Sequence, residues 1–285
     1  MPQLLKSTNF RILQLTDLHF HNYPFSDNDE KTLINIQRTV KTAQPDLIVL
    51  TGDIIFSPEV PDPSGTIKKI AEFFNQYDIP IALTYGNHDS EKYISRKELI
   101  LMEKHFNNLA HKKNEMIVNG KLFYNLEIKS LKDEIPHVVY LIDSGDYAKE
   151  SNVFYDYIEP SHVAWLDYVN QKYEDSMTNV CFTHIPLIEY DEAQDNILEG
   201  HHNEDISSSE VNSGLFSVML KHQNLKAVFC GHDHDNDFVS ERFNKTLAYG
   251  RVSGFNCYGG LPRGGRIIDL DEDNDIVTSI IEYDC

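Results

Sequence analysis

The sequence predicts an α/β fold in which two mixed β-sheets pack as a sandwich flanked by helices. Three observations predict it. The first two-thirds of the chain alternates short apolar runs with amphipathic stretches, the pattern of strand–helix units. The tail instead carries strand-like runs at 246–252, 265–270 and 276–283 with no helix between them. Five of the strand-like runs end in polar clusters containing aspartate, asparagine or histidine.

In chain order, residues 10–16 (FRILQLT) read as the first strand, and a helix is expected over 30–43. Residues 46–51 (DLIVLT) are continuously apolar after Asp46, as suits a strand buried on both faces. A helix over 64–77 follows, with Ile67, Ile70, Ala71 and Phe74 on one face and Ser64 able to cap it. Strands at 80–85, 138–142, 180–183 and 227–230 continue the series, with helices over 92–106, 161–173 and 211–222. Asn119-Gly120 suits a tight turn between strands 116–118 and 122–128, and 271–275 (DEDND) reads as a second hairpin turn. The chain shows neither an internal repeat nor a linker, so one domain over 1–285 is expected.

Composition narrows the function. Forty-five acids oppose 25 bases for a net charge of −20, which disfavours binding to a nucleic-acid duplex or an anionic membrane. Hydrophobic residues at 41% exclude a disordered chain, and no apolar run approaches the roughly 18 residues of a membrane helix. Cys181, Cys230, Cys257 and Cys285 are scattered without a CxxC pair. Reduced thiols and a cytoplasmic setting are expected.

The polar clusters carry the chemistry. They are Thr16-Asp17-Leu18-His19, Thr51-Gly52-Asp53, Tyr85-Gly86-Asn87-His88-Asp89, Thr183-His184 and Cys230-Gly231-His232-Asp233-His234. In an open α/β sheet, ligands bind beyond the carboxyl ends of the strands, where segments distant in sequence converge. Carboxylate, amide and imidazole ligands together suit manganese, iron or zinc better than calcium or magnesium. Seven such groups exceed the needs of one ion and fit two ions about 3.5–4 Å apart that share a carboxylate.

As an ordered set spanning residues 17 to 234, DLH, GD, GNHD, TH and GHDH resemble the calcineurin-like metallophosphoesterases. The resemblance implies that Asp17, His19 and His234 hold one metal, that Asn87, His184 and His232 hold the other, and that Asp53 bridges. It implies two divalent or mixed-valence transition metal ions, with Asn87 and His88 on the phosphate and His88 assisting the leaving group. Glu204–Ser208, Val211–Gly214, GHDHDND and YGR…RGGR are similar to the short purple-acid-phosphatase-like phosphatases. Phe56 stands where true purple enzymes have a tyrosine and where serine/threonine phosphatases have an aspartate that pairs with the GNH histidine.

The expected activity is metal-dependent hydrolysis of phosphoric esters, on a phosphorylated small molecule or a phosphoprotein. A phosphodiesterase acting on cyclic or other nucleotides is the alternative, and a non-catalytic interaction module of the same fold is the third reading. Arg251, Arg263 and Arg266 fall in a glycine-rich segment, and Arg251 is a candidate phosphate contact because guanidinium suits phosphate. Asp89 is a candidate to orient a ligand histidine or cap the following helix. His21, His201 and His202 read as loop residues, Trp165 as core, and Phe154–Tyr157 as either a pocket wall or packing.

Overall fold

The computed structural model describes residues 4–5, 9–132, 134–149, 152–271 and 276–283. In order, the elements are β1 (Leu4–Leu5), β2 (Phe10–Leu15), α1 (Asp27–Ala43), β3 (Leu47–Thr51), α2 (Pro63–Phe74) and β4 (Ile81–Thr84). Then come α3 (Arg96–Met102), β5 (Lys113–Val118), β6 (Lys121–Lys129), β7 (His137–Ile142), α4 (Pro160–Gln171) and β8 (Thr178–Phe182). The remainder is α5 (Glu189–Ala193), β9 (Ile197–Glu199), α6 (Leu215–Lys221), β10 (Leu225–Cys230), β11 (Val239–Arg242), β12 (Lys245–Tyr249), β13 (Gly264–Leu270) and β14 (Ile276–Glu282).

Among the described residues these strands form two mixed sheets. One runs β1-β6-β7-β8-β10-β12-β11-β9, with β5 also paired to β6, and the other runs β14-β13-β2-β3-β4. Strand periodicity explains the layers, because successive side chains point to opposite faces. On β3, Leu47 and Val49 enter the core between the sheets, while Ile48 and Leu50 face the layer of α1, α2 and α3. On β10, Ala227 and Phe229 point inward, and Val228 and Cys230 meet the layer of α4, α5 and α6. Helices thus cover both outer faces of the sandwich, as the sequence predicts.

Helix boundaries follow local chemistry. Ser26 and Asp29 form a reciprocal capping box that starts α1 at Asp27, three residues before the expected start. Asp62 caps α2 and Pro63 is its first residue, in place of the expected Ser64 cap, because proline's fixed φ suits the first turn. Ser95 and Glu98 cap α3, shortening the helix expected over 92–106. Gly214 at φ 83° delays α6 to Leu215. Strands β1, β9 and β11 and helix α5 escaped the sequence reading. They are short, and their residues lack a clear period. β13 and β14 are antiparallel neighbours, while residues 272–275 of the expected turn lie outside the described residues. Among the described residues no helix is long and apolar enough to cross a membrane.

Parallel pairing positions the site. β2, β3 and β4 are adjacent and parallel in one sheet, and β8 and β10 are adjacent and parallel in the other. Their carboxyl ends therefore open on the same end of the sandwich. Directly beneath, Gln14 Nε2 donates to Thr51 Oγ1 at 3.0 Å and to the Cys230 carbonyl at 2.9 Å, joining the sheets.

Candidate metal centre

The five strand ends deliver their side chains to one buried cluster. Asp53 Oδ2 lies 3.3 Å from His19 Nε2 and 3.2 Å from His184 Nε2. Asp17 Oδ1 lies 3.4 Å from His234 Nε2, and His232 Nδ1 lies 3.3 Å from His184 Nε2. Donor atoms of Asp17, His19 and Asp53 fall within 4.8 Å of one another, and so do those of Asp53, His184 and His232. Asp53 belongs to both groups.

The backbone is strained where it turns into this cluster. Asp17, His19, Asp53 and His232 have φ of 53°, 46°, 48° and 81°, a left-handed conformation rare outside glycine. Such geometry persists where the surroundings over-determine it, and it concentrates at functional sites. Here the surroundings are backbone bonds between strand ends: Asp17 N–H to the Gly52 carbonyl at 3.1 Å and His19 N–H to the Asp53 carbonyl at 2.9 Å.

Hydrogen bonds occupy one side of several candidate ligands and leave the other bare. Asp17 Oδ2 accepts from Thr16 Oγ1 at 2.8 Å and from the His232 N–H at 3.1 Å, while Oδ1 has no hydrogen-bond partner. Asp53 Oδ1 accepts the His88 N–H at 2.8 Å, leaving Oδ2 to face the histidines. His184 Nδ1 meets the Thr51 carbonyl at 2.9 Å and must be the N–H there, so Nε2 is the ring nitrogen that faces Asp53. Asn87 Nδ2 donates to the Tyr147 hydroxyl at 3.1 Å, and its Oδ1 is buried without a partner. His19 Nε2, His232 Nε2 and His234 Nδ1 are likewise buried and unpartnered. Buried polar atoms are nearly always paired. A cluster of bare carboxylate, amide and imidazole lone pairs therefore fits bound cations.

Electrostatics agree. Burial opposes ionisation of Asp17, yet contact with His234 and the charge of His184 hold its carboxyl below the usual range. Burial likewise opposes ionisation of Asp53, which His184 and His19 hold far below that range. Burial, then the neighbouring His184, push His232 down to about 3. Asp233 goes the other way: burial raises it to about 7, against the bond from the Tyr249 hydroxyl at 2.7 Å.

Above the cluster opens a cavity of about 390 Å³, walled in part by Phe56, His88, Tyr155, Ser207 and Tyr258. His88 Nδ1 lies 2.6 Å from Glu91 Oε2.

A family model for calcineurin-like phosphoesterases matches residues 10–236. The chain belongs to that family.

Among curated relatives, the protein named probable inactive purple acid phosphatase 29 of Arabidopsis thaliana is 29% identical over 301 residues, covering 92% of this chain and 77% of that one. Phosphatase DCR2 of Saccharomyces cerevisiae is 30% identical over 261 residues, covering 80% of this chain and 44% of that protein. A solved dimetal phosphatase from Danio rerio shares the fold at a TM-score of 0.65 and 14% identity, over 96% of this chain and 99% of that one.

In this calcineurin-like phosphoesterase, two sequence expectations change. Arg251 does not reach the cavity. Its guanidinium is buried against Asp237, the Pro262 carbonyl at 2.7 Å and Glu282 at 3.1 Å. Asp89 bonds no histidine: its carboxylate accepts the Ile55 N–H at 3.0 Å and the Gly86 N–H at 2.8 Å, clamping two ligand loops together. Burial, then the charge of Asp53, raise its pKa to about 6.

His21 is a loop residue, as read, and it lines the cavity, as does Tyr155 of the tyrosine-rich run. His201 instead turns to Asp237 at 3.1 Å. Trp165 is core, and Cys181 and Cys230 are buried in it. Cys257 went unremarked as a site residue. Its sulfur lies within 4.8 Å of donor atoms of His19 and His234 and donates to the Asp17 carbonyl at 3.0 Å. Glu91 was missed too, although its place three residues after His88 on a turn was the available signal. Arg263 shares the glycine-rich segment with Arg251 and does not line the cavity either. Instead it donates to the carbonyls of Gly254, Cys257, Tyr258 and Leu261, shaping the loop that carries Cys257 and Tyr258.

Proposed function

We propose that the chain is a two-metal phosphatase that hydrolyses phosphomonoesters, on small molecules or phosphoproteins. The observation that carries this reading is the set of bare, buried donor atoms at Asp17, His19, Asn87, His232 and His234, together with Asp53, which belongs to two clusters of donor atoms. Asp17, His19 and His234 would hold one ion and Asn87, His184 and His232 the other, with Asp53 between them. Manganese, iron or zinc suits this donor set. Such ions neutralise phosphate charge and make water acidic enough to attack phosphorus.

The protein's own groups complete the chemistry. His88 lines the cavity with its Nδ1 on the Glu91 carboxylate, and as an imidazolium it would give its Nε2 proton to the departing oxygen and keep the one on Nδ1. The Asp53–His88 N–H bond ties the position of that ring to the shared carboxylate. The phosphatase names of the relatives support a monoester substrate. Although "inactive" stands in the Arabidopsis protein's name, the full donor set in this chain supports catalysis. Three buried free thiols, Cys181, Cys230 and Cys257, support a reducing, cytoplasmic setting.

The test is apoprotein reconstituted with manganese, ferrous iron or zinc and assayed on p-nitrophenyl phosphate, bis-p-nitrophenyl phosphate, cyclic nucleotides and phosphopeptides. Monoesters should give the highest kcat/KM. Faster turnover of the diesters would make the chain a phosphodiesterase. Two bound ions with no turnover of any ester would make it a binding module.

A further inference from the structure

The cavity walls are aromatic and acidic where a phosphate site is usually basic. Tyr258 stacks on His234 with ring centroids 4.1 Å apart, Tyr155 meets His232 edge-on at 4.6 Å, and Phe56 lies parallel to His19 at 5.6 Å. Three rings thus abut three candidate ligands. Tyr258 is 58% exposed, and its hydroxyl is tied to Glu204 at 2.8 Å, so the ring is fixed with surface to spare. Tyr155 is braced by Tyr147 at 5.9 Å and Phe154 at 4.8 Å. Among the described residues lining the cavity none is lysine or arginine, whereas Glu59 and Asp233 are present. Arg251, Arg263 and Arg266 give their donors to carbonyls and to Asp237 instead.

We propose that this pocket selects aryl phosphate monoesters, in which phosphorus is joined directly to an uncharged aromatic alcohol, over alkyl and sugar phosphates. The inference rests on the phosphomonoesterase reading. The ring wall begins at the ligands themselves, so it meets the group attached to phosphorus and not a base or chain several bonds away. Flat rings stack on tyrosine faces, whereas an alkyl or sugar alcohol offers no such partner. An anionic alcohol would meet Glu59 on a wall that carries neither lysine nor arginine.

Binding separates recognition from leaving-group reactivity, so the probes are phosphonates titrated into the metal-loaded protein. Phenylphosphonate should bind roughly tenfold tighter than methylphosphonate, and 4-carboxyphenylphosphonate should lose most of that advantage. Tyr258→Ala and Tyr155→Ala should each shrink the phenyl-to-methyl affinity ratio about 2- to 10-fold. Tyr258→Phe, which keeps the ring, should preserve the ratio, with metal content measured in every variant. Equal affinities for the phenyl and methyl probes overturn the inference, as does a ratio unchanged in both alanine variants that retain two ions. Preferential phenylphosphonate binding without any ester hydrolysis would sink the activity and leave the aryl site standing. Hydrolysis with equal phosphonate affinities would do the reverse. Comparing O-phosphotyrosine with a phosphotyrosine peptide distinguishes free aryl phosphates from tyrosyl phosphate on protein. A phosphoserine peptide with a higher kcat/KM than both counts against the inference.

Discussion

Replacing Gly86 with alanine tests whether the strand ends are packed as tightly as the candidate centre requires. A Cβ on Gly86 would lie 2.2 Å from Asp53 Oδ1 and 2.6 Å from the Asp53 nitrogen. Ordinary contact begins at 3.4 Å, so the shortfall at the carboxylate is 3.4 − 2.2 = 1.2 Å. Neither side can yield freely. Asp53 is held by the His88 N–H at 2.8 Å and by its own left-handed backbone, while Gly86 donates to Asp89 at 2.8 Å. Gly86 itself is not in the left-handed region, so the substitution isolates crowding from conformational strain. Overpacking of this kind destabilises by about 1–3 kcal/mol, or a Tm roughly 2–12 °C lower. The effect on catalysis should be larger, because a misplacement of about 1 Å can slow turnover roughly 10²-fold. Thermal melts, metal analysis and kcat/KM are read on Gly86→Ala beside Gly260→Ala, where a Cβ meets nothing within 4 Å. The control should stay within about 0.5 kcal/mol of wild type. If Gly86→Ala kept two ions, its Tm and a kcat/KM within twofold of wild type, the close approach to Asp53 would be irrelevant to function.

Asp53→Asn should release at least one ion and abolish turnover, because one carboxylate serves both donor groups; two full-occupancy ions in that variant refute the shared-ligand assignment. His88→Ala should keep both ions, lose about 10²–10⁴ in kcat/KM on alkyl phosphates and lose much less on p-nitrophenyl phosphate, whose leaving group needs no proton. Equal losses on the two substrates would remove the proton-donor role. Arg251→Ala leaves Asp237 buried beside an empty space, so stability should fall by about 3–5 kcal/mol in a denaturant melt while KM holds. A raised KM at unchanged stability would return Arg251 to the substrate. His162 is fully buried, stacks on Phe123 at 3.7 Å and has neither ring nitrogen bonded. Burial, then Lys121, lower its pKa from 6.5 to about 4. Between those values the unfolded chain binds a proton that the folded one does not, so this group's contribution is full above pH 6.5 and is lost as pH falls toward 4. The slope is about 1.4 kcal/mol per pH unit. Stability of wild type minus that of His162→Phe should carry this slope over pH 6.5–4, and a flat difference would show that the ring protonates freely in the folded state.

What could be read in the sequence was whatever neighbours along the chain control. A short apolar run, followed by glycine and a ligand-type side chain, specifies a buried strand and the loop leaving it. Residues 46–53 illustrate this: Leu47–Thr51 became β3, and Asp53 stands just beyond its end. Asp233 and Tyr249 became partners, at 2.7 Å, only because β10 and β12 pair side by side. The same holds for the arginines. Guanidinium chemistry suited phosphate equally well in all three, but Asp237 and backbone carbonyls reached them first.

By itself, the sequence determined the two-sheet α/β architecture, the order of the ligand-bearing strand ends and the donor types they carry. Those depend on apolar periodicity and short-range turns, which act over a few residues. Tertiary structure alone decided which donor atoms remain bare, that Asp53 accepts the His88 N–H and which rings wall the cavity. A buried polar group is satisfied by whatever the fold brings within about 3 Å. At this site those partners come from far along the chain, as when Gln14 joins Thr51 to Cys230 and the Asp17 carbonyl meets Cys257.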